Sequence, residues 1–338
     1  DDSILGQVKF DENRTQASQR TFSRDCQRID QQHWWNRVSG KLMNYGQSRW
    51  TPYLLLMPSF VFILGVVLVP LLFSLYTSLT PYKLTRPNTL YRFVGLFNYE
   101  NLLEHADFWE AFGRTVLFLT IVLNLEMLLG LGIALMIQRV IRGQRILRTI
   151  MMFPMMFAPV LVGFQFKFIF NDNIGLLNNA LQAFGYNEAI PWLVDEWLAM
   201  FSIMIAEIWN STSVFAILLL AGLMSIPKDP LEAAKVDGCN PFQVFFHVTL
   251  PFLTPFIYIA LTIRSLEVAR AFDIVKIMTN GGPAGRTELL WTIVARTGYE
   301  NARMGEANAM SYISVLLSIF FTIFFYRKLQ QARNQVGD

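Results

Sequence analysis

The chain has 338 residues, 53% hydrophobic and 16% charged, with 29 Phe; soluble domains carry about 25% charge. A soluble globular domain is excluded, and the chain is expected to be a membrane protein. The formal charge of +3, without a basic run, excludes nucleic acid as a partner. Cys26 and Cys239, far apart and without metal-ligand spacing, exclude a disulfide scaffold and give no metal signal.

Residues 1–51 form a polar tail of mixed charge with no apolar core segment, so no cleavable signal peptide is expected there. Within it, HWWNRVSGKLMNY (33–45) sets Trp34, Trp35, Val38, Leu42 and Tyr45 beside Arg37 and Lys41. That pattern suits a short helix lying on the membrane surface, and a tail without fixed structure suits it equally.

The rest, 52–338, reads as an all-α membrane domain. Crossing the hydrocarbon layer takes roughly 20 mostly apolar residues, and six segments qualify: 52–79, 115–137, 149–170, 197–224, 251–276 and 307–326. The second holds Glu126 and the fourth Glu207. The third holds Lys167 near one end and Pro154 and Pro159 inside, which a membrane bundle tolerates. With both termini cytoplasmic, the inner segments carry seventeen Lys and Arg and the outer loops seven. The positive-inside rule therefore predicts that orientation.

The fifth segment carries Arg264, Glu267, Arg270, Asp273 and Lys276, alternating in sign every three residues. Neighbours at that spacing on one helix can pair, giving a self-neutralising ladder. Alternatively, Arg264 and Glu267 line a translocation path, since a charge in mid-bilayer needs a partner or water. The two readings are compatible. Glu126 and Glu207, each alone in its span, are expected to bond to neighbouring helices. Lys167 is expected to extend toward the headgroups. Trp209 and Phe215 suit either packing or the flat face of a ligand.

Between the fourth and fifth segments lies the connector 225–250, with LEAAKVDGCNPFQVFFHVTLP at 231–251. Asp229-Pro230-Leu231-Glu232 predicts a helix start capped by Asp229, and Gly238 its stop. Asn240-Pro241 predicts a second short helix, with Pro251 opening the fifth span. Ala233 and Ala234 leave one face small enough for a foreign backbone. Phe242, Phe245 and Phe246 are placed to anchor the second helix to the bundle.

EAAKVDG followed by PFQVFFHVTLP resembles the coupling loop of the inner-membrane permease subunits of ABC importers. GLLNNALQAFG (175–185), Pro191-Trp192, TNGGPAGRT (279–287) and GEANAMSYIS (305–314) resemble the carbohydrate, maltose-type branch. Cys239, where Ala is common, and His247, where a basic or polar residue is usual, are small departures. The resemblance implies a type I permease of six spans with a cytoplasmic N-terminal tail. It also implies alternating access and a connector docked on a separate ATPase through Glu232, Ala233, Ala234, Asp237 and Gly238. By offset from Glu232, the substrate path falls at Asn210, Ser211, Val214, Arg264, Glu267, Val268 and Ala271. The implied partners are a second, related permease chain, two ATPase subunits, an external solute-binding protein and a carbohydrate. The alginate-type importers among such permeases make a uronate-containing oligosaccharide one candidate, which Arg264, Arg270 and Lys167 would welcome, although the nearby acids cancel much of their field.

No cofactor is expected on this chain, and ATP and Mg belong to the partner ATPase. Gly40-Lys41 is followed by Leu, and TNGGPAGRT has no Lys, so neither is a phosphate-binding loop. His33, His105 and His247 show no metal spacing, and no catalytic carboxylate pair is present, so the chain is not read as an enzyme. An ion-gradient-driven transporter is the alternative, but it leaves the capped connector without a purpose.

Overall fold

A computed structural model describes residues 51–337 apart from Ile141 and Asn187. The N-terminal tail, with its surface-helix candidate at 33–45, lies outside them. The chain divides into two units at Leu72/Phe73. The described part of the first unit belongs to a helix, α1 (Pro52–Ser78), interrupted by one π-helical turn at Leu64–Leu68.

Among the described residues the fold is helical, without a named strand. Five helices are long and apolar enough to cross a membrane: α1, then Ala106–Arg139, Glu196–Ser225, Pro241–Val268 and Met304–Arg333. A bent pair, Gln144–Met156 and Pro159–Ile169, supplies a sixth crossing if counted as one span. In chain order after α1 we label Phe97–Glu104 α2, Ala106–Arg139 α3, Gln144–Met152 α4 and Pro159–Ile169 α5. There follow Leu176–Ala183 (α6), Glu196–Ser225 (α7), Lys228–Val236 (α8) and Pro241–Val268 (α9). Asp273–Met278 is α10, Leu290–Ala295 α11 and Met304–Gly337 α12.

Three elements differ from the sequence expectation. The third segment is not one helix but turns through 90° between α4 and α5. Pro159 causes this: the residue before a proline is driven out of the helical region, and Ala158 is extended (φ −62°, ψ 138°), whereas Phe153 before Pro154 stays helical and Pro154 opens a short 3-10 turn. The fifth segment does not reach Lys276 as one helix. It ends at Val268, and α10 restarts at Asp273, whose charge suits a helix N-terminus. At its other end Pro251 opens nothing. The second connector helix continues into the span through a π-helical turn at Phe245–Thr249, where the Leu250 N–H bonds the Phe245 carbonyl. That wider turn sits immediately before Pro251, which has no N–H to offer the ladder.

The main core joins α3, α5, α7, α9 and α10 around Phe118, Val122, Ile203, Phe215, Leu219, Leu253 and Val268. A smaller cluster of Leu102, Phe108, Leu290, Ile293 and Met310 joins α2, α3, α11 and α12. The crossing of α3 and α7 is close: a Cβ on Gly130 would lie 2.5 Å from Phe215 Cβ. Small residues permit such approaches where no hydrophobic drive separates helix from lipid. Gly132, one half-turn away, faces open space. Gly130→Val is therefore expected to destabilise the bundle by about 1–3 kcal/mol. Gly132→Ala should be neutral or mildly stabilising. Melting temperatures of the purified variants check both.

Candidate functional site

The middle of α7 departs from its own apolarity. Asn210, Ser211, Thr212 and Ser213 follow one another in a predominantly apolar helix, and all four are buried. Thr212 returns its hydroxyl to the Ile208 carbonyl (2.6 Å). The Asn210 Oδ1 is buried without a protein partner.

Opposite this stretch, α9 presents Arg264, 3% exposed. Its Nε and Nη2 form a two-pronged contact with Glu126 of α3 (3.0 and 2.8 Å). Nη2 also donates to Glu207 of α7 (3.1 Å) and Nη1 to Glu267 (2.5 Å). One guanidinium thus ties three helices through three carboxylates. Glu126 is wholly buried, the Glu207 side chain 13% exposed and that of Glu267 51%. A buried charge at this depth requires such partners. Glu126 and Glu207 do bond across helices. The ladder is largely absent: of its rungs only Arg264–Glu267 forms among the described residues, because the helix stops at Val268. Lys276 pairs instead with Glu300. Lys167 donates to the Ile277 carbonyl (3.0 Å), so it is tied to α10.

Beside this cluster lies a cavity of about 370 Å³, walled by α7, α9, the turn after Val268 and the α4–α5 break. Asn210, Ser211, Val214, Arg264, Glu267 and Ala271 all line it. Six of the seven positions counted from Glu232 therefore converge. Val268 is fully buried in the core and does not line it. Sequence reasoning missed Glu207, Met155, Phe157, Pro159, Arg270, Phe272, Asp273 and Ile274 as lining residues. Glu207 had a signal, an acid without a partner in its own span beside an arginine in another. The remainder reach the wall through the two helix breaks. Trp209 packs on Phe166 (centroids 5.5 Å), and Phe215 is in the core, so neither lines this cavity.

At the other end of α9, Asn240 and Gln243 form a reciprocal capping box (2.9 and 2.8 Å). α8 begins two residues sooner than Asp229-Pro230 suggested, after Pro227, and no side-chain cap forms. Gly238 ends it in the left-handed region (φ +79°), with the Cys239 N–H on the Ala234 carbonyl (3.0 Å). Glu232, Ala233 and Asp237 are exposed, but Ala234 is buried, so only half of the expected small face is free. Phe242 and Phe246 are 77% and 56% exposed rather than anchored to the bundle.

The other motifs tie loops together. Asn178 of GLLNN donates to the Asp172 and Ile190 carbonyls and accepts from Trp192 Nε1 (2.9 Å), joining it to the Pro191-Trp192 pair. In TNGGPAGRT the Thr279 and Thr287 hydroxyls meet at 2.7 Å. Just beyond, burial pushes the Glu288 carboxyl above its usual pKa while Arg296 (2.9 Å) and Arg114 pull against it. Gly305 opens α12 where a Cβ would lie 2.1 Å from the Thr80 carbonyl oxygen.

Residues 126–335 match the family model described as the inner membrane component of binding-protein-dependent transport systems. The chain belongs to that family. A probable ABC transporter permease protein of Sinorhizobium fredii is 35% identical over 260 residues, 77% of this chain and 84% of the relative. The trehalose/maltose transport system permease protein of Thermococcus litoralis is 33% identical over 292 residues, 86% and 97% of the two chains. Among solved structures, a chain of a bacterial ABC transporter involved in the import of the acidic polysaccharide alginate superposes with TM-score 0.71. It is 21% identical over 87% of this chain and 99% of that one, which supports the fold alone. The resemblance drawn from the connector and loop motifs is thereby shown, as is the helical permease fold.

Glu126→Ala leaves Arg264 buried without its two-pronged partner, and a loss of about 3–5 kcal/mol is expected. Glu267→Ala, at the exposed edge, is expected to lose under about 1 kcal/mol. Thermal unfolding of the two variants side by side checks the order, which reverses if Glu267 rather than Glu126 holds the arginine.

Proposed function

We propose that this permease moves an oligosaccharide through the cavity beside Arg264, by alternating access driven by a separate ATPase. The observation that carries the reading is the continuity of α9. One helix runs from the capping box at Asn240 to the wall of the cavity. The 23 residue steps from Pro241 to Arg264 span about 35 Å at 1.5 Å per residue. A displacement of the connector is therefore delivered to Arg264 and, through its carboxylates, to α3 and α7.

The docking surface for the ATPase is the connector. Glu232, Ala233, Asp237 and Gly238 form its polar and small part, with Ala234 shaping the turn from inside. Val236 (87% exposed) and Phe242 supply apolar surface that the described residues do not cover. ATP and Mg act on the partner, and this chain carries no catalytic group. The basic-residue asymmetry supports a cytoplasmic connector and cytoplasmic termini, in a chain of the bacterial inner membrane. A second, related permease faces the cavity to complete the path, two ATPase subunits dock below, and an external solute-binding protein delivers the sugar. The ion-driven alternative is not kept, since the family is binding-protein-dependent.

A carbohydrate cargo is supported by the relatives named for trehalose and maltose, and by a cavity of buried amide, hydroxyl and charged groups suited to sugar hydroxyls. Asn210, Ser211, Val214, Arg264, Glu267 and Ala271 would meet the sugar, with Val268 packing behind them. A uronate cargo rests on the intramembrane cations, and each has a protein partner: Arg264 carboxylates, Lys167 a carbonyl and Arg270, through its Nε alone, another carbonyl.

The reading is tested by tagging the chain, extracting it gently and identifying what co-purifies with and without Glu232→Ala. An ATPase subunit is expected, with recovery reduced about tenfold, or 1.4 kcal/mol, by the substitution. A chain that emerges alone and stable, indifferent to the substitution, contradicts it. Asn210→Ala is expected to lower uptake of the sugar while leaving ATPase recovery unchanged.

A further inference from the structure

Resting on the carbohydrate reading above, the charge arrangement of the cavity points to the class of sugar. We infer that the cavity selects sugars presenting hydrogen-bond donors, neutral polyols or amino sugars, and discriminates against uronates through Glu207 and Glu267.

The charges at the cavity do not balance. Its lining holds Arg264 and Arg270 against Glu207, Glu267 and Asp273, with Glu126 directly behind Arg264. In their ionised forms these are two cations and four acids. A carboxylated sugar would enter a site already negative, in surroundings that screen charge poorly.

Hydrogen-bonding capacity leads to the same conclusion. A guanidinium has five N–H donors. Four of Arg264's are directed at protein carboxylates, two at Glu126 and one each at Glu207 and Glu267. One Nη1 hydrogen is left for a ligand. Arg270 gives its Nε to the Leu266 carbonyl (3.1 Å) and keeps its Nη hydrogens. Acceptors are open as well. Glu207 accepts through Oε1 and Glu267 through Oε2, leaving the second oxygen of each without a hydrogen-bond donor among the described residues. Asn210, nine-tenths buried and lining the cavity, has an Oδ1 with no donor among the described residues. Such an unmet buried acceptor costs free energy until something donates to it. A sugar hydroxyl can donate to these oxygens, and an ammonium can donate and also neutralise the excess charge. A carboxylate can do neither. At Arg264 it would find a single free hydrogen, with Glu267 beside it as a like charge.

Glu207 and Glu267 are thus specificity-determining residues, while Glu126, wholly buried, positions the arginine. The charge excess belongs to the cavity itself and acts independently of any selection by the external binding protein. The test therefore uses the permease–ATPase complex in nanodiscs without that protein. Saturation-transfer NMR would compare three trisaccharides: maltotriose, the trimer of glucosamine and the trimer of galacturonate. The expected result is binding of the first two, with the galacturonate trimer at least about tenfold weaker. Glu267→Gln, a half-exposed position that keeps its shape and one acceptor oxygen, should narrow the gap between maltotriose and galacturonate at least about fivefold. Galacturonate binding as well as maltotriose, or a gap that Glu267→Gln leaves unchanged, overturns the selectivity while the carbohydrate site stands. If none of the three binds, the carbohydrate reading of the cavity fails, and the selectivity falls with it.

Discussion

A guanidinium buried among membrane helices is the constraint on which the arrangement depends. Arg264 is 3% exposed, and a charge at that depth is tolerated only where opposite charges and hydrogen bonds surround it. Glu126 comes from α3, Glu207 from α7 and Glu267 from the next turn of α9. Meeting this one requirement fixes the relative rotation of three helices, because each must turn its acid toward the same point. The close crossing at Gly130 and Phe215 holds two of them at the separation this needs.

The same constraint gives the cavity its chemistry. Glu126 saturates the guanidinium from behind, so the cavity side of the cluster is dominated by carboxylate oxygens. The helix breaks supply the rest of the wall: Pro159 turns the chain so that Met155 and Phe157 reach the cavity, and the stop at Val268 brings Ala271 and Asp273 in. A straight third or fifth helix would have carried these residues away. Such breaks are tolerated in a membrane bundle where the loosened backbone faces protein or a polar cavity rather than lipid. At the far end of the same helix the capping box and Gly238 fix the connector's shape.

What was legible in the sequence was local or periodic. The helix start at Asn240-Pro241 and the left-handed Gly238 follow from residue chemistry over a few positions, and both are present, whereas the cap expected at Asp229 does not form. Counting from Glu232 placed five residues on one cavity because α7 and α9 are continuous helices, along which sequence offset is distance, and Ala271 joins them through the stop at Val268. The break at Pro154 and Pro159 was visible as two prolines, yet a proline inside a span permits either a kink or a full turn. The Arg264–Glu126 contact joins residues 138 positions apart, and no local rule reaches that far. The i, i+3 rule instead suggested a ladder, which the stop at Val268 dissolves. Ala234 and Phe242 exchanged their expected roles for a similar reason. Which face of a short helix is covered depends on its neighbours, and α8 rests its Ala234 face inward while Phe242 is left outside.

The most direct test of the central claim, that this cavity is the transport path worked through the connector, is thiol accessibility at Val214→Cys and Ala271→Cys. Cys26 and Cys239 would first be replaced by serine. The complex would be probed with a membrane-impermeant thiol reagent from either side, at rest and trapped with ATP and vanadate in the presence of the binding protein. The account predicts that both positions react from one side at rest and from the opposite side when trapped, and that sugar protects them. Positions that react from the same side in both states, or from neither, would contradict it.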